Sequence, residues 1–83
     1  MDVVEYPIVT EKAMDAMDFD NALVFIVAPS ATKADIQSDI EETFEVDVTS
    51  VNTMVTPQGR KKATVTLGPE DNAEDVASRI GVF

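Results

Sequence analysis

The sequence predicts an α+β fold, a split β-α-β arrangement in which about three helices pack on a largely antiparallel four-stranded sheet. Segments typical of strands and helices follow one another in the order strand, helix, strand, helix, strand, strand, helix. Two strands separated by a helix favour a right-handed crossover, and the return strand of the following hairpin can lie between them. The 83 residues contain no repeat or linker, so we expect a single domain over residues 1–83.

Two strands and a helix are predicted in the first third of the chain. Residues 3–8 have the composition of a short strand, and Pro7 confines it to a sheet edge because proline has no N–H to donate. Thr10 is a residue type that caps helices, and this helix is expected to run to about Met17. Residues 23–28 form a continuous apolar run, which is typical of a central strand.

A capped helix and a hairpin are predicted next. Thr32, followed three residues later by Asp35, has the spacing of a capping box at the start of a helix from about residue 33 to residue 45. Residues 49–56 predict one strand of a hairpin, and residues 62–67 alternate polar and apolar side chains as the other. A Pro-Gln-Gly segment between the two strands supplies the turn.

A third helix completes the predicted fold. It starts at Asp71 or Asn72, carries Val76 and Ile80 on one face, and stops at Gly81. The helices are expected to cover one face of the sheet. A domain of this length buries roughly 60 to 65% of the surface that its unfolded chain exposes, so its core is thin.

The composition excludes several classes of function. The chain has no histidine and no cysteine, which removes the commonest general base, the thiolate nucleophile and the usual zinc ligands. An enzyme of the acylphosphatase type needs a phosphate-cradling loop, and the turn at residues 29–32 contains no glycine. We therefore expect no enzyme, no cofactor and no metal site. No apolar stretch approaches the roughly 20 residues that cross a bilayer, so we expect a cytoplasmic protein without membrane insertion.

Three of the six basic residues are adjacent, at Arg60, Lys61 and Lys62, in a chain whose formal net charge is −10. They open the return strand of the predicted hairpin, where a phosphate backbone or an acidic partner can reach them. The alternative is that they are edge charges that prevent sheets from aggregating.

The sixteen carboxylates are dispersed along the sequence, which is typical of a solvated surface. Two explanations of the acidity remain open. One is a basic partner, and the other is adaptation to a cytoplasm so salty that charges are screened within about 3 Å at 1 M. The absence of a concentrated acidic stretch favours salt adaptation.

Several short segments share the pattern of one known family. They are residues 7–13, 25–27, 31–33, 44–46, 51–53 and 61–67. In this order and spacing they resemble the large-subunit ribosomal protein twenty-three family in its archaeal, halophile-like form. The chain departs from the family at Gly68, where a polar or small side chain is more frequent. Its hairpin loop is also too short to match the tunnel-lining extension of bacterial members.

The resemblance implies a non-enzymatic, structural component of the large ribosomal subunit that binds large-subunit rRNA near the nascent-polypeptide exit tunnel. It also implies neighbouring ribosomal proteins as partners, a docking site for targeting factors such as the signal recognition particle, and a monomer when the protein is free. By motif position, the expected rRNA-binding residues are Thr10, Lys12, Lys33, Asn52, Thr53, Arg60, Lys61 and Lys62.

Simpler explanations exist for some of these residues. Thr10 has the position of a plain helix cap, and Asn52 and Thr53 are ordinary strand positions. Lys12 is placed to pair with Glu11 or Asp15 instead. In favour of anion binding, Lys12 and Lys33 each lie in a predicted first helical turn, where unpaired N–H groups favour anions. A different class of function also stays open, namely a small regulatory or dimerising ligand-binding module whose sheet edge pairs with a second copy.

Overall fold

The computed structural model describes residues 3–81, and its seven elements follow the predicted order. The strands are β1 (Val4–Pro7), β2 (Ala22–Val27), β3 (Val48–Val55) and β4 (Lys61–Leu67). The helices are α1 (Glu11–Asp20), α2 (Lys33–Phe44) and α3 (Ala73–Ile80). The predicted α+β fold is confirmed.

The four strands form one sheet in the order β1-β2-β4-β3, and each neighbouring pair is antiparallel. β4 therefore lies between β2 and β3, which run in the same direction, as the split β-α-β prediction requires. β1 and β3 are the edges of the sheet. Pro7 ends β1, in agreement with its predicted edge position.

The helices pack on one face of the sheet. Strand and helix positions with the predicted periodicities meet in the core, whose largest fully buried side chains are Phe25, Val27, Ile36, Ile40, Val65 and Val76. Alternate strand positions point to the opposite face, because successive side chains of a strand alternate. In the part of the chain that the structure describes, no helix covers that face.

Cap residues set the starts of α2 and α3. Thr32 and Asp35 form the predicted capping box: Asp35 N–H donates to Thr32 Oγ1 at 3.1 Å, and Thr32 N–H donates to Asp35 Oδ2 at 3.0 Å. The Thr32 backbone N–H, with a smaller effect from its side chain, holds the pKa of Asp35 below its usual value. Asn72 caps α3 and Gly81 ends it, both as predicted.

α1 continues to Asp20, three residues beyond the predicted end near Met17. It stops at Asn21, which adopts a left-handed backbone with φ of 53°. The Asn21 side chain donates to two backbone carbonyls in the segment before α3 and accepts the N–H of Ala73 at 2.8 Å. The prediction was wrong here because the cap depends on partners about fifty positions later in the chain, which a local pattern does not contain.

Candidate nucleic-acid interface

The basic residues gather at one end of the sheet. Gly59, with φ of 82°, lies in the turn between β3 and β4, and Arg60 follows it with an exposed side chain. Lys61 and Lys62 are the first residues of β4. Lys33, the first residue of α2, lies at the same end because β2 ends opposite the start of β4. We call Lys33, Arg60, Lys61 and Lys62 the hairpin-end cluster; it holds four of the six cations of the chain.

Lys61 and Lys62 point to opposite faces of the sheet. Lys61 lies on the helix-covered side, where its Nζ donates to the backbone carbonyl of Ala31 at 2.6 Å, in the loop that leads into α2. Lys62 lies on the other side, in register with Ile26 of β2 and Met54 of β3. Both lysines are half-buried. The two neighbours in sequence therefore lie in different surroundings.

The surface that the helices leave uncovered is a face of three rows. The strand register defines these rows. The first row holds Tyr6, Ile26, Lys62 and Met54. The second row holds Val24, Thr64 and Asn52, and the third holds Ala22, Thr66 and Ser50. Adjacent rows are about 7 Å apart along the strands. We call these side chains the open face. None of them is a carboxylate, and one is a lysine.

The carboxylates lie mainly on the helix side of the molecule. Of the sixteen in the chain, four belong to α1, four to α2 and two to α3, whereas the four strands carry one, Glu5. Negative charge that is dispersed along the sequence is thus unevenly distributed in space. A polyanion meets less repulsion at the open face and the hairpin-end cluster than at the helices.

Arg60 contacts the only tyrosine of the chain. Its Nη1 donates to the Tyr6 hydroxyl, and its guanidinium carbon lies 5.8 Å from the centre of the Tyr6 ring. The contact joins β1 to the hairpin across 54 positions of sequence. Tyr6 was not among the residues predicted from the sequence, because an aromatic residue in a short strand is ordinary and only the strand register brings it beside the basic turn.

The other predicted contact residues lie in different surroundings. Thr10 caps α1 through its Oγ1, which accepts the N–H of Ala13 at 3.1 Å. Lys12 is exposed on α1, a helix that packs on β2 and α3. Asn52 is exposed on the open face, one row from Lys62, whereas Thr53 is half-buried on the helix-covered side. The structure therefore brings together the hairpin-end cluster and Asn52.

Comparisons with known proteins agree on one family. The family model described as Ribosomal protein L23 matches residues 2–74. The Large ribosomal subunit protein uL23 of Haloquadratum walsbyi is 56% identical over 81 residues, which cover 98% of this chain and 96% of that protein. Proteins of the same name from Halobacterium salinarum and Haloarcula marismortui are 57% and 51% identical, over 98% and 99% of this chain and 96% of each relative.

Proposed function

The chain belongs to the ribosomal protein L23 family, and from this premise we propose that it binds large-subunit rRNA near the exit of the nascent-polypeptide tunnel. The coarser role, a structural constituent of the large ribosomal subunit, follows from family membership. The hairpin-end cluster is the main support for rRNA binding, because it concentrates four cations beside a face without carboxylates in a chain of net charge −10. Phosphate groups are the ligands that such a corner favours.

The side chains of this corner differ in what they offer to RNA. Arg60 is exposed and presents a planar fork of N–H donors that matches phosphate oxygens. Lys33 lies in the first turn of α2, where unpaired backbone N–H groups also attract anions. Lys61 uses one of its three N–H groups on Ala31 and has two more for a phosphate. Lys62 and the neighbouring Asn52 present a charge and an amide to the open face.

Three candidate contacts have weaker support. The hydroxyl of Thr10 is already engaged in capping, and the side chain of Thr53 is directed to the helix side. Lys12 is exposed but lies among the carboxylates of α1. For these residues the motif positions of the family are the only reason to expect rRNA contact.

We propose that the helix side contributes to a docking site for targeting factors such as the signal recognition particle. Besides its carboxylates it exposes apolar side chains of α1, above all Phe19, which is 81% exposed, and Met14. A basic partner with apolar side chains is the kind that such a surface complements.

The remaining parts of the proposal follow from the ribosomal role. Neighbouring ribosomal proteins are further partners, the compartment is the cytoplasm, and the proposed role is structural and not catalytic. None of the helices within residues 3–81 has the length and apolar character that crossing a membrane requires.

Co-sedimentation tests the assignment. A tagged copy of the chain is expected in the large-subunit fraction of a gradient run in molar potassium chloride, and its absence from that fraction would overturn the assignment.

Photo-crosslinking tests the orientation of the chain on the ribosome. A photo-crosslinking amino acid at position 60 is expected to link to large-subunit rRNA. The same group at position 19 is expected to give no rRNA adduct and to link to the signal recognition particle on translating ribosomes. An rRNA adduct from position 19 alone would reverse the proposed orientation.

A further inference from the structure

One row of the open face has the composition of a stacking surface. Tyr6, Ile26, Lys62 and Met54 lie side by side across all four strands. Tyr6 is 42% exposed and Met54 is 56% exposed, while Ile26 is only 6% exposed. The row is therefore an apolar strip with one cation within it and an accessible aromatic ring at its β1 end.

Arg60 extends this strip at the Tyr6 end. Its guanidinium lies over the ring, and its hydrogen bond to the hydroxyl fixes the relative position of the two groups. Aromatic rings and guanidinium planes are the two side-chain surfaces on which proteins stack unpaired RNA bases. Here the two occur in contact, and Arg60 itself belongs to the hairpin-end cluster.

We propose that Tyr6 and Arg60 form a binding site for one unpaired nucleobase of RNA, which stacks on this pair. Lys62 and the remaining N–H groups of Arg60 hold the phosphates on either side of that nucleotide. This site rests on the proposed rRNA-binding function. It specifies that the open face binds an unpaired part of the RNA, because the bases of a duplex are already stacked on one another inside the helix. The amide of Asn52, one row further, is a hydrogen-bonding partner for the next nucleotide.

Charge and salt favour RNA over a protein as the occupant. The open face contains no carboxylate, so a phosphate backbone is repelled less there than at the helix side, which carries ten. At molar salt, charges are screened within about 3 Å, and phosphate contacts lose much of their strength. Base stacking does not depend on net charge in this way and is worth about 1 to 3 kcal/mol per base. An RNA site in such an acidic chain therefore gains most from an aromatic platform.

The proposal is tested by measuring the binding of an in-vitro transcript of large-subunit rRNA to the full chain. The measurement is made at 2 M potassium chloride, where charges are screened within about 3 Å. Tyr6→Ala is expected to weaken binding about 5- to 150-fold, the cost of one lost stack. Tyr6→Phe keeps the ring and is expected to retain most of the affinity. Phe19→Ala, the matched control on the helix side, is expected to bind as the unmodified chain does.

The chain has one tyrosine and no tryptophan, so its ultraviolet emission reports on Tyr6 alone. The emission lifetime is expected to shorten when the transcript binds, because a stacked base quenches the ring. Thermal unfolding of each variant checks the fold, and Tyr6→Leu replaces Tyr6→Ala as the ring deletion if the alanine variant unfolds.

The outcomes separate this site from the proposed function. If the ring deletion binds as tightly as the unmodified chain while Arg60→Gln and Lys62→Gln weaken binding, rRNA binding stands and the stacking site is overturned. If the unmodified chain does not bind the transcript, the proposed function fails and the stacking site fails with it. An emission lifetime that stays unchanged when the transcript binds would also overturn the site.

Discussion

Asn21 accepts a hydrogen bond from the backbone N–H of Ala73, with 2.8 Å between Oδ1 and N, across 52 positions of sequence. The same side chain donates from Nδ2 to the carbonyls of Gly68 and Asp71, at 3.2 and 2.8 Å. Its backbone meanwhile turns through a left-handed conformation that ends α1. One residue therefore fixes both the end of α1 and the position at which α3 begins.

Two substitutions of Asn21 separate these tasks. Asn21→Gly keeps the left-handed backbone and removes three side-chain hydrogen bonds, so we expect the free energy of unfolding to fall by about 1 to 3 kcal/mol. Asn21→Ala loses the same bonds and adds about 1 to 2 kcal/mol for left-handed alanine. Chemical denaturation at molar salt measures both. Equal stability of the glycine variant and the unmodified chain would contradict the joining role of the side chain.

Phe25 tests the core. It is fully buried in β2, under the helices, so Phe25→Ala is expected to lower the free energy of unfolding by about 3 to 5 kcal/mol. Phe19→Ala is the control, because its ring is almost fully exposed and its loss is expected to change stability by less than about 0.5 kcal/mol. A loss below about 1 kcal/mol for Phe25→Ala in a denaturation measurement would mean that the core does not depend on β2.

A carboxyl pair between α1 and α3 predicts a pH dependence. A hydrogen bond with Asp18, followed by the charge of that carboxylate, raises the pKa of Glu74 above its usual value of 4.5. The folded chain thus binds this proton more tightly than the unfolded chain does. The resulting stabilisation is complete below about pH 4.5 and is lost as the pH rises through the raised pKa.

Glu74→Gln removes this dependence, because an amide donates a hydrogen bond to Asp18 at every pH. We expect the variant to gain stability relative to the unmodified chain as the pH rises from about 4.5 to 7. Denaturation curves at both pH values and constant molar salt measure the difference. Glu42→Gln, at an exposed carboxylate of α2, is the control and is expected to show no such trend. A constant stability difference for Glu74→Gln would show that the pair has no influence.

The two lysines of the hairpin-end cluster are expected to respond differently to substitution. Lys61→Met removes the bond to the Ala31 carbonyl, so the free energy of unfolding should fall by about 1 kcal/mol. Lys62→Met should leave stability nearly unchanged and weaken binding to large-subunit rRNA several-fold, since its charge is directed to the open face. Denaturation and titration with the transcript measure the two effects. Identical behaviour of both variants would contradict the division between the faces.

Salt dependence tests the origin of the acidity. Ten negative charges in excess repel one another in dilute buffer, so the isolated chain is expected to be less stable there than at molar salt. Its affinity for rRNA should fall only slightly with salt, or rise as the fold becomes firmer, although ordinary duplex binding falls with a slope near −0.9 per phosphate contact. Titrations from tenths molar to several molar potassium chloride, with circular dichroism as the fold control, measure both. A steep, monotonic loss of affinity with an intact fold would favour the basic-partner explanation.

The order of elements and most of the core were predictable because they depend on local signals. The Thr32 capping box, the apolar run around Phe25 and the alternation in β4 each specify an element within a few residues. The Asn21 cap was not predictable in the same way. Its bonding partners come from a segment that is near only after the sheet has formed.

The candidate site was predictable in part. The three adjacent cations lie together at one corner of the molecule, and Lys33 joins them there; their contacts with rRNA stay predictions. Lys61 and Lys62 lie on their respective faces because of the strand register. A shift of the register by one residue would exchange the two faces. Tyr6 was missed for a related reason, because its contact with Arg60 is set by the pairing of β1 with β2 and not by any motif.

The unequal placement of the carboxylates bears on how the molecule meets an anionic surface. Because salt confines repulsion to about 3 Å at 1 M, the ten carboxylates on the helices cannot steer the protein from a distance. They act only after collision. If the open face binds rRNA as proposed, we expect an encounter made through the helices to be shorter-lived than one made through the open face. Under the proposed orientation, we expect the acidity to favour contacts with RNA through the open face over contacts through the helices.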